Sequence, residues 1–308
     1  MKEKIGIFFL GLRRMQMLKI HLPQLAKTRY KDFHFYCLYN EVGEETISLL
    51  KKYLPDRCTI VTGFDSKFDY MNKIQYALSC GHEYSVKMDE DCFMLAEGWD
   101  RFFSLIEGMK TDDLFCTGAI SNGIPTCDIF IKNFIPSAKA EIDKLFSDTK
   151  FHFIGGVDYS PLNTTTTEWD SDAFFTRVWN LNHYYKGIHP VRVNLQAAAS
   201  INDHILRDPI RNMTPIDSEV IRDTTKYPYF CNSFFGIRTD DWKNIVSRRD
   251  LFVDPFEEVP LNKYRHETKR NMVIDTGIPI LHTMYNWSQN WSYEENLINR
   301  MIGVYATA

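Results

Sequence analysis

Three consecutive acidic residues, Asp89, Glu90 and Asp91, directly follow an apolar run that ends at Met88. In extended or turn geometry, side chains two residues apart point the same way, so we expect Asp89 and Asp91 to converge while Glu90 faces elsewhere. Two converging carboxylates are costly unless a cation lies between them. A hard divalent ion, Mg²⁺ or Mn²⁺, binds one or two carboxylates together with phosphate oxygens. The triplet therefore predicts a metal–phosphate site, and the simpler alternative is a solvated acidic turn.

The elements that must position this triplet are predicted by alternating strand-like and helix-like segments in residues 1–125. Such alternation is typical of a mainly parallel sheet covered by helices, and ligands of open α/β sheets bind at the carboxyl ends of the strands. From about residue 126 to 226 the pattern loosens, which predicts loops and short helices laid over the sheet. Strands are predicted at 4–10, 33–39, 58–62, 83–88, 227–238 and 278–282, and helices at 15–26, 44–53 and after Asp69.

The composition is that of an ordinary globular protein, with 308 residues of which 44% are hydrophobic and 25% are charged. A formal net charge of −4 does not favour nucleic acid as a partner. The seven cysteines are dispersed, which indicates reduced thiols and argues against disulfides or a zinc site. No window approaches the roughly 20 apolar residues of a membrane span. We therefore expect a cytoplasmic protein without stable membrane insertion, at most peripheral at the inner face of a membrane.

Two blocks of the sequence resemble glycosyltransferase family 2. The segment from Asn72 to Asp91 is similar to that family's helix, short glycine turn, strand and D-x-D motif, and the helix around Trp99 follows as in the family. The segment from Phe256 to His282 is similar to its acidic pair, apolar residue, glycine, strand and histidine. It departs in having Glu258 where the family has Asp, in the following Val-Pro, and in lacking a close match to the family's Arg.

The resemblance implies a GT-A fold, which is a Rossmann-like α/β fold of nucleotide-diphospho-sugar transferases with a mainly parallel central sheet. It implies that Asp89, Asp91 and His282 contact Mn²⁺ or Mg²⁺, and that Glu258 or Glu257 is the catalytic base. For His282, the simpler alternative is a half-buried side chain beside the aromatic residues that follow it. Candidates for contacts with the nucleotide sugar are Leu10, Gly11, Arg13, Asn40, Glu41, Lys73 and Asp89.

A carboxylate suits the base position because the acceptor hydroxyl becomes strongly acidic only as it attacks. One base opposite a leaving diphosphate implies a single in-line displacement with inversion at the anomeric carbon, through charge like that of glycoside hydrolysis. The simpler alternative for Glu257 and Glu258 is an acidic helix start.

We therefore expect one domain over residues 1–308, with a nucleotide-sugar-binding half at 1–125 and an acceptor-binding half at 126–308. The expected activity transfers a sugar from a nucleotide sugar, UDP-sugar favoured, to a glycan, a lipid-linked saccharide or a surface polymer. Alternatives are a modified nucleobase or a protein side chain as acceptor, a non-catalytic nucleotide- or sugar-binding module, and a hydrolase that uses Asp91 and Glu258. A short distance between Asp91 and His282, within reach of one metal ion, would favour the enzyme over the binding module.

Overall fold

The protein has an α/β architecture in which helices cover a nine-stranded mixed sheet. The computed structural model describes residues 2–11, 14–39, 42–64, 70–154, 157–163, 168–181, 188–222, 227–248, 258–283 and 291–306. The strands within these ranges are β1 (Ile5–Leu10), β2 (Phe33–Leu38), β3 (Cys58–Val61), β4 (Tyr84–Asp89), β5 (Cys92–Phe93), β6 (Asp113–Ile120), β7 (Phe153–Ile154), β8 (Val157–Asp158), β9 (Val220–Ile221), β10 (Phe234–Arg238) and β11 (Asn271–His282).

The sheet order is β3-β2-β1-β4-β10-β6-β11-β5, with β9 paired to β11 and β7–β8 forming a separate hairpin. Strands β1 to β4 are mutually parallel, and β6 is parallel to β11. Strand β10 is antiparallel to both β4 and β6, and β5 and β9 are antiparallel to β11. The sequence predicts a mainly parallel sheet, and the observed sheet is mixed. Hydrophobic runs report burial on both faces and carry no information about strand direction.

The helices lie mostly where apolar residues recur at helical spacing. In the helix that follows the acidic triplet, Trp99, Phe102, Phe103 and Ile106 are fully buried at positions i, i+3, i+4 and i+7, which makes one apolar stripe. The described helices are α1 (Leu18–Lys27), α2 (Glu44–Tyr53), α3 (Tyr70–Ser79), α4 (Ala96–Glu107), α5 (Cys127–Phe134), α6 (Lys139–Ser147), α7 (Ser171–Leu181), α8 (Pro190–Val193), α9 (Leu195–Arg207), α10 (Thr239–Ser247), α11 (Glu258–Thr268) and α12 (Trp291–Tyr305).

Two apolar clusters form the core. The larger one lies around the central strands and α4, and the smaller one is formed mainly by α5, α6, α9 and α12. The segment 126–226, which we call the insertion, is more helical than the sequence predicts, because α5 to α9 bury apolar faces in these clusters. All seven cysteines are free thiols, and six of them are buried. Among the described residues, no helix combines the length and the apolar character that crossing a bilayer requires.

Candidate active site

The carboxyl ends of β1, β2 and β4 meet at one edge of the sheet. Leu10 of β1 is in register with Leu38 on one side and with Asp89 on the other. The chain order reverses at this point, since β2 and β3 lie on one side of β1 and β4 lies on the other. Such a topological switch point opens a crevice in which α/β proteins bind ligands. The acidic triplet therefore begins at the carboxyl end of β4, the strand-end position that the sequence predicts.

Asp91 and His282 lie side by side because β5 and the end of β11 are paired. His282 is in register with Cys92, and the backbone N–H of Thr283 donates to the backbone oxygen of Asp91 at 3.0 Å. His282 Nε2 is 3.6 Å from Asp91 Oδ1. Asp91 Oδ2 and His282 Nδ1 are buried and have no hydrogen-bond partner among the described residues. The facing atoms, Asp91 Oδ1 and His282 Nε2, are a carboxylate oxygen and an imidazole nitrogen at a spacing that two ligands of one cation can have.

Cys92 offers a third donor atom, and donor atoms of Asp91, Cys92 and His282 all lie within 4.8 Å of one another. Burial, with the charges of Asp91 and Asp89 adding to it, raises the pKa of the Cys92 thiol well above its usual value. Its Sγ donates to the backbone oxygen of Ser233 at 3.5 Å. A protonated thiol is a poor ligand, so the carboxylate and the imidazole are the groups that fit a hard divalent ion.

Arg14 lies close to three acidic residues, Glu90, Asp91 and Glu294. Its backbone N–H and its Nη1 donate to the carboxylate of Glu90 at 2.8 and 3.2 Å. Its guanidinium also lies 2.6 Å from Glu294 of α12 and 3.9 Å from Asp91. The hydroxyl of Tyr39 donates to Glu90 at 2.9 Å. Glu90 therefore faces away from the exposed side of the site and is buried against Arg14 and Tyr39.

Lys87, at the centre of β4, is almost fully buried and reaches the exposed end of the site. Its Nζ lies 2.6 Å from Asp89 Oδ1 and donates to the backbone oxygen of Asn232 at 2.6 Å. The Asp89 side chain remains 31% exposed, which leaves it open to a bound molecule. The backbone N–H of Asp89 donates to the oxygen of Ser233 at 2.9 Å, which joins β4 to the segment before β10.

Negative charge exceeds positive charge in this cluster. Two cationic side chains, Arg14 and Lys87, face four carboxylates, so with these six groups ionised and His282 neutral the cluster carries a formal charge of −2. The carboxylates are those of Asp89, Glu90, Asp91 and Glu294. Excess negative charge is costly in a buried site, and one divalent cation would balance it.

The pKa values reflect this arrangement. Burial opposes ionisation of Asp91, but the imidazole of His282 and the guanidinium of Arg14 hold its pKa below the ordinary value. Desolvation and the charge of Asp91 raise the pKa of Asp89 above its ordinary value, against the opposing effect of Lys87. Burial likewise raises the pKa of Glu294, despite its ion pair with Arg14. Protons bound at such carboxylates are displaced when a cation binds, so cation affinity in this site would rise with pH.

Glu258 is the first residue of α11, and two neighbours hold it. The Tyr229 hydroxyl donates to Glu258 Oε1, and the Asn262 side chain donates to the Glu258 backbone oxygen at 2.8 Å. Burial and the nearby Glu258 carboxylate raise the pKa of Tyr229 well above its usual value, so the phenol stays protonated and can donate. Asn262 also accepts from the backbone N–H of Phe230 at 2.9 Å. The position of Glu258 at the start of α11 agrees with the simpler sequence interpretation, an acidic helix start.

Residues 229–233 connect Glu258 to the acidic triplet. Tyr229 contacts Glu258 at one end of this segment, and Ser233 accepts from the Asp89 backbone at the other. In the middle, the Cys231 N–H donates to the oxygen of Ile124 at 3.0 Å. The segment before β10 therefore connects the candidate base to Asp89 through hydrogen bonds at its two ends.

The residues predicted to contact the nucleotide differ in burial and in whether the structure describes them. Leu10 is buried in the core, so its side chain is not open to a ligand. Lys73 is also buried, and its Nζ donates to the backbone oxygen of Gly11 at 2.8 Å and lies over the Phe64 ring. A Cβ atom on Gly11 would overlap the ring of Tyr39. Arg13, Asn40, Glu41 and Glu257 lie outside the described residues.

Several residues of the site were not predicted from the sequence. The motif at 89–91 gave no signal for Glu294, because it lies in α12, about 200 residues away. Arg14 follows the predicted Arg13 in the sequence, but the neighbouring residues do not show whether an arginine here is buried in an ion-pair network or exposed in a loop. Tyr229 lies in a predicted strand, and only tertiary structure pairs it with Glu258.

In comparisons with known proteins, the chain matches no protein family, and no curated protein is significantly similar to it in sequence. The resemblance to glycosyltransferase family 2 therefore rests on the order of the motifs quoted above.

Proposed function

We propose that the protein is a metal-dependent, inverting glycosyltransferase with a GT-A fold, which transfers a sugar from a nucleotide sugar to an acceptor hydroxyl. The observation that carries this proposal is the buried pair Asp91 and His282, whose Oδ1 and Nε2 atoms lie 3.6 Å apart just beyond the end of β4. The short distance between these two residues is the feature that favours an enzyme over a binding module.

The residues of the site divide into a donor side and an acceptor side. Asp91 and His282 would hold Mn²⁺ or Mg²⁺, with Asp89 at the exposed rim, and such an ion stabilises the charge of a leaving diphosphate. Arg14 holds Glu90 and Glu294 in place below the site. UDP-sugar is the favoured donor, and a glycan, a lipid-linked saccharide or a surface polymer is the favoured acceptor.

On the acceptor side, Glu258 takes the proton of the attacking hydroxyl. Tyr229 donates a hydrogen bond to one carboxylate oxygen, which orients Glu258 and leaves its second oxygen for the acceptor. Attack opposite the leaving diphosphate inverts the configuration at the anomeric carbon.

The test is calorimetric titration of UDP with Mn²⁺ and with excess chelator. We expect binding to require the metal, and Asp91→Asn to weaken it by at least about 10- to 100-fold, the loss that removal of a residue supporting a metal ligand already causes. Cys92→Ala is the matched control, because this neighbour lies within the same cluster but its thiol is protonated. UDP binding of equal strength in chelator, or equal losses in Asp91→Asn and Cys92→Ala, would contradict the proposal.

A panel of nucleotide sugars then identifies the donor. A ligand that binds the folded protein raises its free energy of unfolding by about 2.7 kcal/mol at 100 times Kd. We expect the largest thermal shift from one UDP-sugar in the presence of Mn²⁺. Release of free sugar without any acceptor at the rate of transfer would indicate a hydrolase.

A further inference from the structure

Arg192 of α8 lies in the insertion, for which the sequence predicts no functional residue. Its Nη1 makes a long hydrogen bond of 3.4 Å to the backbone oxygen of Asn122. Its Nε is buried and has no hydrogen-bond partner, and within the described part of the chain the guanidinium forms no ion pair. Partial burial of a guanidinium that has no carboxylate partner costs free energy, and a bound anion would offset that cost.

The position of Arg192 links the two halves of the candidate site. Asn122, whose backbone it contacts, donates from its side chain to the backbone oxygen of His282 at 2.8 Å. On its other side, Arg192 is close enough to Tyr229 for its charge to act on the phenol, although burial and Glu258 dominate there. Arg192 therefore lies between His282 and the residue that holds Glu258.

The backbone around Arg192 is fixed on both sides. His189 caps α8 by accepting from the Val191 N–H at 3.1 Å, and its Nε2 donates to Asp128 at 3.1 Å. Asn194 caps α9 and donates to the oxygen of Leu145 at 2.9 Å. A guanidinium on a backbone held in this way loses little freedom when it binds a ligand.

We propose that Arg192 binds a phosphate group of the molecule that enters the site between His282 and Glu258. Its planar fork matches phosphate oxygens bidentately. Phosphate is favoured over carboxylate because the adjoining Asp91 and His282 are arranged for a cation that shares its coordination with phosphates. The choice of phosphate over carboxylate, and of a nucleotide-sugar donor or a phosphorylated acceptor as its source, rests on the proposed function, whereas the anion subsite at Arg192 does not.

The first experiment titrates inorganic pyrophosphate into the full chain in excess chelator, so that no metal ion bridges the protein and the pyrophosphate. We expect Arg192→Gln to weaken binding about tenfold or more, the size of a charge-assisted hydrogen bond, and Arg192→Lys to weaken it less because the charge remains. Arg211→Gln is the matched control, since Arg211 is an exposed arginine of the same insertion. Thermal unfolding of each variant shows that it is folded. Pyrophosphate binding that is absent in the wild type, or unchanged in Arg192→Gln, would overturn the subsite.

The second experiment repeats the titration with UDP and Mn²⁺. Weaker UDP binding in Arg192→Gln supports the subsite and assigns it to the donor. Unchanged UDP binding together with weakened pyrophosphate binding supports it and assigns it to the acceptor. If the wild type binds no UDP while pyrophosphate binding still depends on Arg192, the glycosyltransferase proposal fails and the phosphate subsite stands.

Discussion

At the scale of single residues, the three carboxylates at 89–91 differ because their partners differ. Asp89 faces Lys87 at the exposed rim, Glu90 is buried against Arg14 and Tyr39, and Asp91 lies against His282. Glu90 differs from Asp89 and Asp91 in that both of its carboxylate oxygens accept hydrogen bonds from Arg14 or Tyr39, which gives it a structural role. Glu90→Gln is therefore a poor control for Asp91→Asn, because it would remove one carboxylate from a buried ion-pair network.

The role of Glu258 is tested by comparing it with its two neighbours. If Glu258 is the base, Glu258→Gln keeps donor affinity but lowers the transfer rate by about 100-fold or more. Tyr229→Phe lowers the rate less, because the carboxylate remains and only its orientation suffers. Glu257→Gln, at the alternative base position, should lower the rate less than Glu258→Gln does.

The measurements are transfer rate and donor affinity at saturating metal. Near-native turnover of Glu258→Gln would remove this residue from the mechanism. If Glu257→Gln is the inactive variant instead, the base is the preceding residue and the glycosyltransferase proposal survives.

At the scale of elements, the site depends on how closely β1 and β2 approach at their carboxyl ends. The N–H of Gly11 donates to the oxygen of Leu38 at 3.0 Å, and Lys73 of α3 binds the Gly11 oxygen from the other side. The ring of Tyr39 occupies the space where a side chain at position 11 would lie. Because the Tyr39 hydroxyl holds Glu90, this glycine indirectly positions the acidic network.

Gly11→Ala should therefore lower the free energy of unfolding by about 1 to 3 kcal/mol through overpacking, and should also weaken Mn²⁺-dependent UDP binding. Gly303→Ala is the matched control. A Cβ there meets nothing within 4 Å, and alanine in the interior of α12 should raise stability by about 0.5 to 1 kcal/mol. Urea denaturation of both variants checks the prediction, and a Gly11→Ala protein as stable as the wild type would refute it.

At the scale of the whole molecule, His21 of α1 joins the two apolar clusters of the core. Its ring is fully buried, 5.1 Å from the ring of Phe9 in the larger cluster and 5.7 Å from that of Phe93 in the smaller one. Neither ring nitrogen has a hydrogen-bond partner among the described residues. Burial lowers the pKa of His21 to about 3.

This burial gives stability a defined pH dependence. Between about pH 6.5 and pH 3 the unfolded chain binds a proton at His21 that the folded chain does not, so stability falls as the pH is lowered through this range. Between pH 7.5 and pH 5 this group should account for a loss of about 2 kcal/mol. His21→Leu should remove that part of the loss, whereas His152→Leu, at an exposed position, should not. Urea denaturation at the two pH values measures the free energy of unfolding of each variant. An equal decrease between pH 7.5 and pH 5 in the wild type and in His21→Leu would disprove the role of His21.

Much of the scaffold follows from local pattern. The helix at Glu44–Tyr53 has the bounds that its apolar spacing predicts, and the first four predicted strands are all present with ends within one residue or so. The acidic triplet also stands at a strand end, as predicted. These features could be predicted because residue spacing records which face of each element is buried.

Long-range partners could not be predicted in this way. The strand predicted at 227–238 is only Phe234–Arg238, and the strand predicted at 278–282 begins already at Asn271. Helices of the insertion bury their apolar faces in the smaller core cluster, which no local pattern predicts. Their packing places Arg192 beside Asn122.

The sequence by itself determined the α/β class, most of the early elements and the acidic residues that could do chemistry. Tertiary structure alone decided the direction of β10, the pairing of Arg14 with Glu294, and the contacts of Asp91 with His282 and of Glu258 with Tyr229. The spacing of apolar residues along the chain indicates which face of a helix or strand is buried. The partner of a charged group depends on which distant segments pack together, and that is settled by the free energy of the whole core.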